Sequence, residues 1–186
     1  MPRLPAATRD TVPESQRAQF DRYAAEHNGA PTQGPLAAML NVPEILLRGE
    51  HLRAYLRGED CSLPLHIREL AMLVTARELD CPYIWNAHAT AGRWSGLSDP
   101  LVDNLRDRQE LPWLSADLAV VVAYGQEFFR THRVSPATFD TALARFGVRG
   151  VTELTNLMGY YALLAFNINA FEVDLPADRT EKPLPV

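Results

Sequence analysis

The chain has 186 residues, of which 47% are hydrophobic, and a formal net charge of −5. This composition suits one globular domain with a substantial core. The mildly acidic balance and the lack of a basic run argue against a nucleic-acid-binding face. Two cysteines are too few for a disulfide framework, no apolar signal core opens the chain, and no uncharged apolar stretch reaches the ~18 residues of a membrane span. We therefore expect a soluble, cytoplasmic protein without membrane contact.

The predicted elements are all helices, because no segment alternates convincingly like a strand. Residues 1–13 carry three prolines and are predicted to form an extended arm suited to contacting a partner subunit. In chain order, helices are predicted over 14–27 and 43–57, from Pro64, from an Asp80 cap to near Ser95, over 99–108 and 115–132, from Ser135 to Gly147, and over 150–169. A Gly/Pro loop is predicted over 30–35. Short connections favour compact antiparallel packing.

Three segments are predicted for the domain organisation. Residues 1–34 form an N-terminal arm and first helix, residues 35–172 form the helical domain, and residues 173–186 form a polar C-terminal tail. The last helix carries polar groups on an apolar background, and these can line a pocket or a subunit interface; they are Asn156, Tyr160, Tyr161, Asn167 and Asn169.

The residues suited to chemistry lie between positions 69 and 88. Cys81, Trp85 and His88 are spaced i, i+4, i+7, so they share one helical face. Cys81 falls in the first turn, where the helix dipole favours a thiolate, and His88 can transfer protons near neutral pH. Glu69 lies in an apolar run, so its carboxylate must be paired or have a perturbed pKa.

Each of these residues also has a purely structural interpretation. Cys81 can be a small buried residue, and Tyr83 and Trp85 can be core or interface aromatics. Glu69 can instead form a buried ion pair with a nearby arginine, the candidates being Arg68, Arg77 and Arg93. The histidines show no metal-ligand spacing, so we expect no metal site.

The spacing Glu69, Cys81, His88 resembles the core motif of the carboxymuconolactone decarboxylase and AhpD-like superfamily. The AhpD-like branch has a Cys-x-x-Cys pair, with the histidine four residues after the second cysteine. The decarboxylase-like branch often has Tyr-x-Trp-x-x-His and lacks the pair. Here Tyr83-Ile84-Trp85-Asn86-Ala87-His88 is similar to the second branch, and Ile84 stands where the second cysteine would be. The resemblance covers residues 35–172 loosely and 63–98 closely.

The resemblance implies a compact all-α homo-oligomer, trimeric or hexameric, with a cofactor-independent lyase or isomerase activity on a small carboxylated lactone or related acid. It implies that His88 moves the proton and Glu69 orients it. We expect Arg93 to hold the substrate carboxylate, and Tyr83 and Trp85 to exclude water.

Two alternatives remain open. The first is an AhpD-like thiol peroxidase, of peroxiredoxin-type activity, using Cys81. Cys61 can replace the missing resolving thiol only if the fold brings it near Cys81. The second is a non-catalytic oligomer that binds a small ligand.

Overall fold

A computed structural model describes residues 2–186, so Met1 of the predicted arm lies outside the described residues. Within that range the chain is all-helical and contains no strand. A 3-10 turn over Glu14–Gln16 precedes α1 (Arg17–Glu26), α2 (Gly34–Met39), α3 (Pro43–Arg57), α4 (Leu65–Glu78), α5 (Pro82–Trp94), α6 (Asp99–Arg106), α7 (Ala116–Thr131) and α8 (Pro136–Phe171). The predicted all-α class is confirmed.

Prolines and serines at the helix starts explain why most boundaries were predictable. Pro43, Pro82 and Pro136 lie in the first turns of their helices, where no backbone N–H is needed. The Ser98 and Ser135 side chains each accept a hydrogen bond from the backbone N–H three residues on.

Three local features differ from the predictions. Asp80 is not the cap of α5: its φ of +47° places it in the turn that closes α4, and Cys81 is the capping residue. The predicted loop over 30–35 runs into α2, which is too short to show helical periodicity. The last two predicted helices are continuous except at Gly147, whose φ of +67° breaks the helical path.

The central element is α4, in which ten of 14 residues are buried. It packs against α5, α7 and α8. Its neighbour α5 is antiparallel to it, as predicted. In contrast, α8 runs in the same direction as α4, because Glu153 binds Ser62 just before α4 and Asn169 binds the Leu79 carbonyl just after it.

Both ends of the described chain pack on this helical body. The backbone N–H of Arg3 donates to the Phe171 carbonyl, and the Arg3 guanidinium pairs with Glu172. In the tail, Leu184 is buried and the Pro185 carbonyl accepts a hydrogen bond from Arg77. The arm therefore lies on its own chain rather than extending away from it. None of the helices in residues 2–186 is long and apolar enough to cross a membrane.

Candidate active site

The structure brings Glu69 and His88 together. Glu69 is in the second turn of α4 and His88 is in the middle of α5, and His88 Nδ1 lies 2.8 Å from Glu69 Oε2. Both are buried, at 2% and 6% exposure. The arginines considered as partners of Glu69 bind elsewhere: Arg68 donates to carbonyls at the end of α3, and Arg77 to the Arg106 and Pro185 carbonyls.

The second ring nitrogen of His88 is available for chemistry. A carboxylate beside Nδ1 favours the proton on that atom, which leaves Nε2 as the proton acceptor of the neutral ring. Within residues 2–186, Nε2 makes no hydrogen bond, and the atom is not fully enclosed by the protein. The pair therefore has the form of an oriented base with one accessible nitrogen.

Tyr161 of α8 completes this arrangement. Its ring packs edge-on against His88, with centroids 5.0 Å apart, and its side chain is 3% exposed. Burial raises the pKa of Tyr161 to about 12; the charge of Arg57 opposes the rise and that of Glu69 adds to it. The hydroxyl is therefore neutral at physiological pH and can donate a hydrogen bond. Tyr160 packs against Tyr161 at 5.8 Å between ring centroids.

This answers in part what the polar groups of the last helix do. Tyr161 lies at the Glu69–His88 pair, and Tyr160 packs against Tyr161. The amides do not lie there, since the Asn156 and Asn167 side chains donate to carbonyls of their own helix and Asn169 donates to the Leu79 carbonyl.

Cys81 lies apart from the pair and is sealed. It precedes His88 by seven positions, which is about 10 Å along the helix axis. It is fully buried, and burial raises the pKa of its thiol; the backbone N–H groups of Ile84 and Tyr83 offset only part of this rise. The helix N-terminus was expected to favour the thiolate, but desolvation outweighs it.

Cys61 does not approach Cys81. Both thiols are free and buried. Cys61 lies before the first residue of α4 and Cys81 after the last, and a helix of 14 residues separates them. That length corresponds to about 20 Å, whereas a disulfide needs Cα atoms within about 7 Å. Cys61 is therefore not the missing resolving thiol.

The three expected substrate-binding residues are not gathered at His88. Trp85 is 1% exposed and belongs to the core. The Tyr83 hydroxyl packs on Gly34 of α2, 2.6 Å from where a β-carbon would be. Arg93 is five positions after His88, about 140° around the helix. Its guanidinium pairs with three carboxylates, those of Asp99, Asp103 and Glu181.

An opening of about 400 Å³ lies between the N-terminal arm, α2 and the end of α8. Its lining includes Gly34, Ala37 and Phe171 but neither His88 nor Glu69. It lacks the oriented acid–base pair, so we centre the candidate site on His88. Residues 2–186 hold no cluster of three or more side chains suited to binding a metal ion.

Two of the solved structures with this architecture are described as peroxidase-related proteins. A protein from Ralstonia eutropha JMP134, described as an alkylhydroperoxidase AhpD core, is 15% identical over 95% of this chain and 93% of its own, with a TM-score of 0.70. A peroxidase-related protein from Silicibacter sp. TM1040 is 17% identical over 96% of this chain and 95% of its own, with a TM-score of 0.69. The chain has the AhpD-like fold.

The debrominase Bmp8 shares this fold. It is 13% identical over 93% of this chain and 91% of its own, with a TM-score of 0.66, and a cysteine-to-alanine variant of it was solved with 2,3,4-tribromopyrrole. No protein-family model and no curated protein matches the sequence. Identities this low establish the architecture and leave the activity to be argued from the site.

Proposed function

We propose that this chain is a cofactor-independent lyase or isomerase that moves a proton to or from carbon in a small carboxylated lactone or a related enolisable acid. The observation that carries the proposal is the buried Glu69–His88 hydrogen bond, which leaves His88 Nε2 accessible. A histidine oriented by a carboxylate is a common general acid–base arrangement.

In the lyase direction, the bond between carbon and the carboxylate breaks and CO2 leaves. The electron pair stays on the substrate as an enolate. Protonated His88 then gives its Nε2 proton to the carbon, and the ring regains a proton from water. Glu69 remains ionised throughout and stabilises the imidazolium. In an isomerase, the same nitrogen takes a proton from one carbon and returns it to another.

Tyr161 supplies the second requirement, a donor for the enolate oxygen. Its neutral hydroxyl makes no hydrogen bond within residues 2–186 and is not fully enclosed. A neutral donor in a site with little water stabilises developing negative charge more than it would in bulk water.

The thiol peroxidase hypothesis has less support from the site. Cys81 is sealed, its pKa is raised, and Cys61 lies at the far end of α4. A peroxidase cysteine needs an accessible thiolate, and a two-cysteine cycle needs a resolving partner.

Turnover of candidate acids by purified protein tests the proposal. CO2 release and exchange of substrate C–H for deuterium report the two reaction directions. We expect His88→Ala to abolish both while leaving the helical circular dichroism intact, and Glu69→Gln to lower kcat roughly 10²–10⁴-fold. His66→Ala, a half-buried histidine on α4, is the matched control and should retain activity.

Two results would change the assignment. Turnover that survives His88→Ala would remove this histidine from the mechanism. Ligand-dependent thermal shifts without any turnover would favour the non-catalytic ligand-binding alternative.

A further inference from the structure

A charged stripe on α3 faces α8 near Tyr160. Glu50, Arg53 and Arg57 are spaced i, i+3, i+7, so they share one face of the helix. That side of α3 meets α8, where a β-carbon on Gly49 would lie 3.7 Å from the Tyr160 ring. The charges of Arg53 and Arg57 act on both Tyr160 and Tyr161.

The two arginines of the stripe differ in what they bind. Arg53 is engaged by Glu50 through two hydrogen bonds, at 2.8 and 2.6 Å. Arg57 is exposed and forms no ion pair or hydrogen bond in the part of the chain that is described. Arg57 is therefore the cation of this stripe with its guanidinium available to a ligand.

The groups beside Arg57 are also donors without acceptors. Tyr160 and Tyr161 are 5% and 3% exposed. Across residues 2–186 neither hydroxyl has a hydrogen-bond partner, yet neither is fully enclosed. Buried phenols usually have a hydrogen-bond partner, and because both hydroxyls keep some exposure, each can donate to an oxygen atom of water or of a ligand.

Neither nearby carboxylate accepts a hydrogen bond from these hydroxyls within residues 2–186. Glu69 binds His88 and Glu50 binds Arg53. What remains is one guanidinium, two neutral hydroxyls and an imidazole nitrogen. A guanidinium and hydroxyl donors match the oxygen atoms of a carboxylate.

We propose that Arg57, together with the hydroxyl of Tyr160, binds the substrate carboxylate beside His88, while the Tyr161 hydroxyl stays available to the enolate oxygen. Arg57 thus takes the role that the sequence suggested for Arg93, whose guanidinium is held by three carboxylates. This assignment rests on the proposed function for the identity of the ligand, but it concerns binding and needs no turnover.

Calorimetric binding of γ-carboxy-γ-butyrolactone and of its methyl ester tests the assignment. The two probes differ in the negative charge, so the wild-type protein should bind the acid more tightly. Arg57→Ala should weaken acid binding roughly tenfold to a hundredfold and leave ester binding unchanged, since a charged hydrogen-bonded contact is lost. Arg57→Lys should restore part of the preference as a point charge.

Arg48→Ala is the matched control. Arg48 is on the same helix nine positions earlier, on the opposite side, and pairs with Glu44 in an exposed ion pair. It should bind both probes like the wild type. Equal affinity of the wild type for acid and ester, no binding of either, or an Arg57→Ala variant that keeps the preference would overturn the assignment.

The two proposals fail separately. If the protein prefers the acid through Arg57 but its turnover survives His88→Ala, the carboxylate subsite is supported and the His88 mechanism is refuted. If turnover needs His88 but does not depend on Arg57, the mechanism is supported and the carboxylate subsite is refuted.

Discussion

Replacing Glu153 by glutamine should destabilise the fold in a pH-dependent way. The Glu153 side chain is 4% exposed and links three elements. Its carboxylate accepts hydrogen bonds from the Tyr55 hydroxyl at 2.7 Å, from the Ser62 backbone N–H at 2.9 Å and from Arg149 Nε at 2.9 Å, as well as from the Ser62 hydroxyl. It thereby joins α8 to α3 and to the loop before α4.

The size of the effect follows from the pKa of this carboxyl. Burial favours the neutral form, but the hydrogen bonds from Ser62, Tyr55 and Arg149 outweigh it and lower the pKa of Glu153 from 4.5 to about 2. One pKa unit corresponds to about 1.4 kcal/mol, so the ionised form contributes about 3 kcal/mol. Arg149 is exposed, and solvent screens its share, which brings the expected cost of Glu153→Gln near 2–3 kcal/mol at neutral pH.

The sign of the pH dependence is fixed by the direction of the shift. The folded-state pKa lies below the unfolded one, so the stabilisation is fully present above about pH 4.5 and is lost as the pH falls toward about 2. Urea unfolding at pH 7, 5 and 3.5 should show the gap between wild type and Glu153→Gln narrowing only at the lowest pH. Glu59→Gln, an exposed change in the same loop, is the control. A gap that stays constant over this range would refute the reasoning.

Two further predictions concern the site. In single-cysteine variants made by Cys61→Ser or Cys81→Ser, the remaining buried thiol should react slowly with a disulfide reagent in the native state and rapidly in urea. Rapid peroxide oxidation of native Cys81 at pH 7 would contradict this prediction. Tyr161→Phe keeps the ring edge against His88, so thermal unfolding should show a stability change within about 1 kcal/mol. The kcat for the acid substrate should fall roughly 10²–10³-fold, because the hydroxyl donor is lost. An unchanged kcat would exclude the hydroxyl as a donor.

The sequence predicted the helices that hold the site because their signals are local. Pro43 and Pro82 mark helix starts, and the long apolar run after Pro64 has the helical period. The need of Glu69 for a partner was also predictable from the cost of burying a charge. Local patterning did not choose the partner among Arg68, Arg77, Arg93 and His88, although the family resemblance implied His88. The antiparallel pairing of α4 with α5 selects His88.

Arg57 illustrates what local reasoning cannot find. An arginine in the last turn of a helix is an ordinary feature, because it interacts favourably with the helix dipole. Its relation to the site depends on α3 crossing α8 at Tyr160, a contact between residues far apart in the sequence. Arg93, close to the motif in sequence, was the more obvious candidate, yet it joins α5 to α6 and the tail.

The two ends of the motif on α5 show why one fold can support different chemistry. At the N-cap of α5, two backbone N–H groups lower the pKa of the Cys81 thiol, but complete burial raises it by more, so the thiol stays protonated. Further along the helix, His88 is as buried as many core residues, yet a carboxylate is bound to one nitrogen and the other stays accessible. Ile84 occupies the position where a second thiol would pair with Cys81. With that pair absent, the imidazole held by Glu69 is the group of this segment that offers an accessible atom for proton transfer.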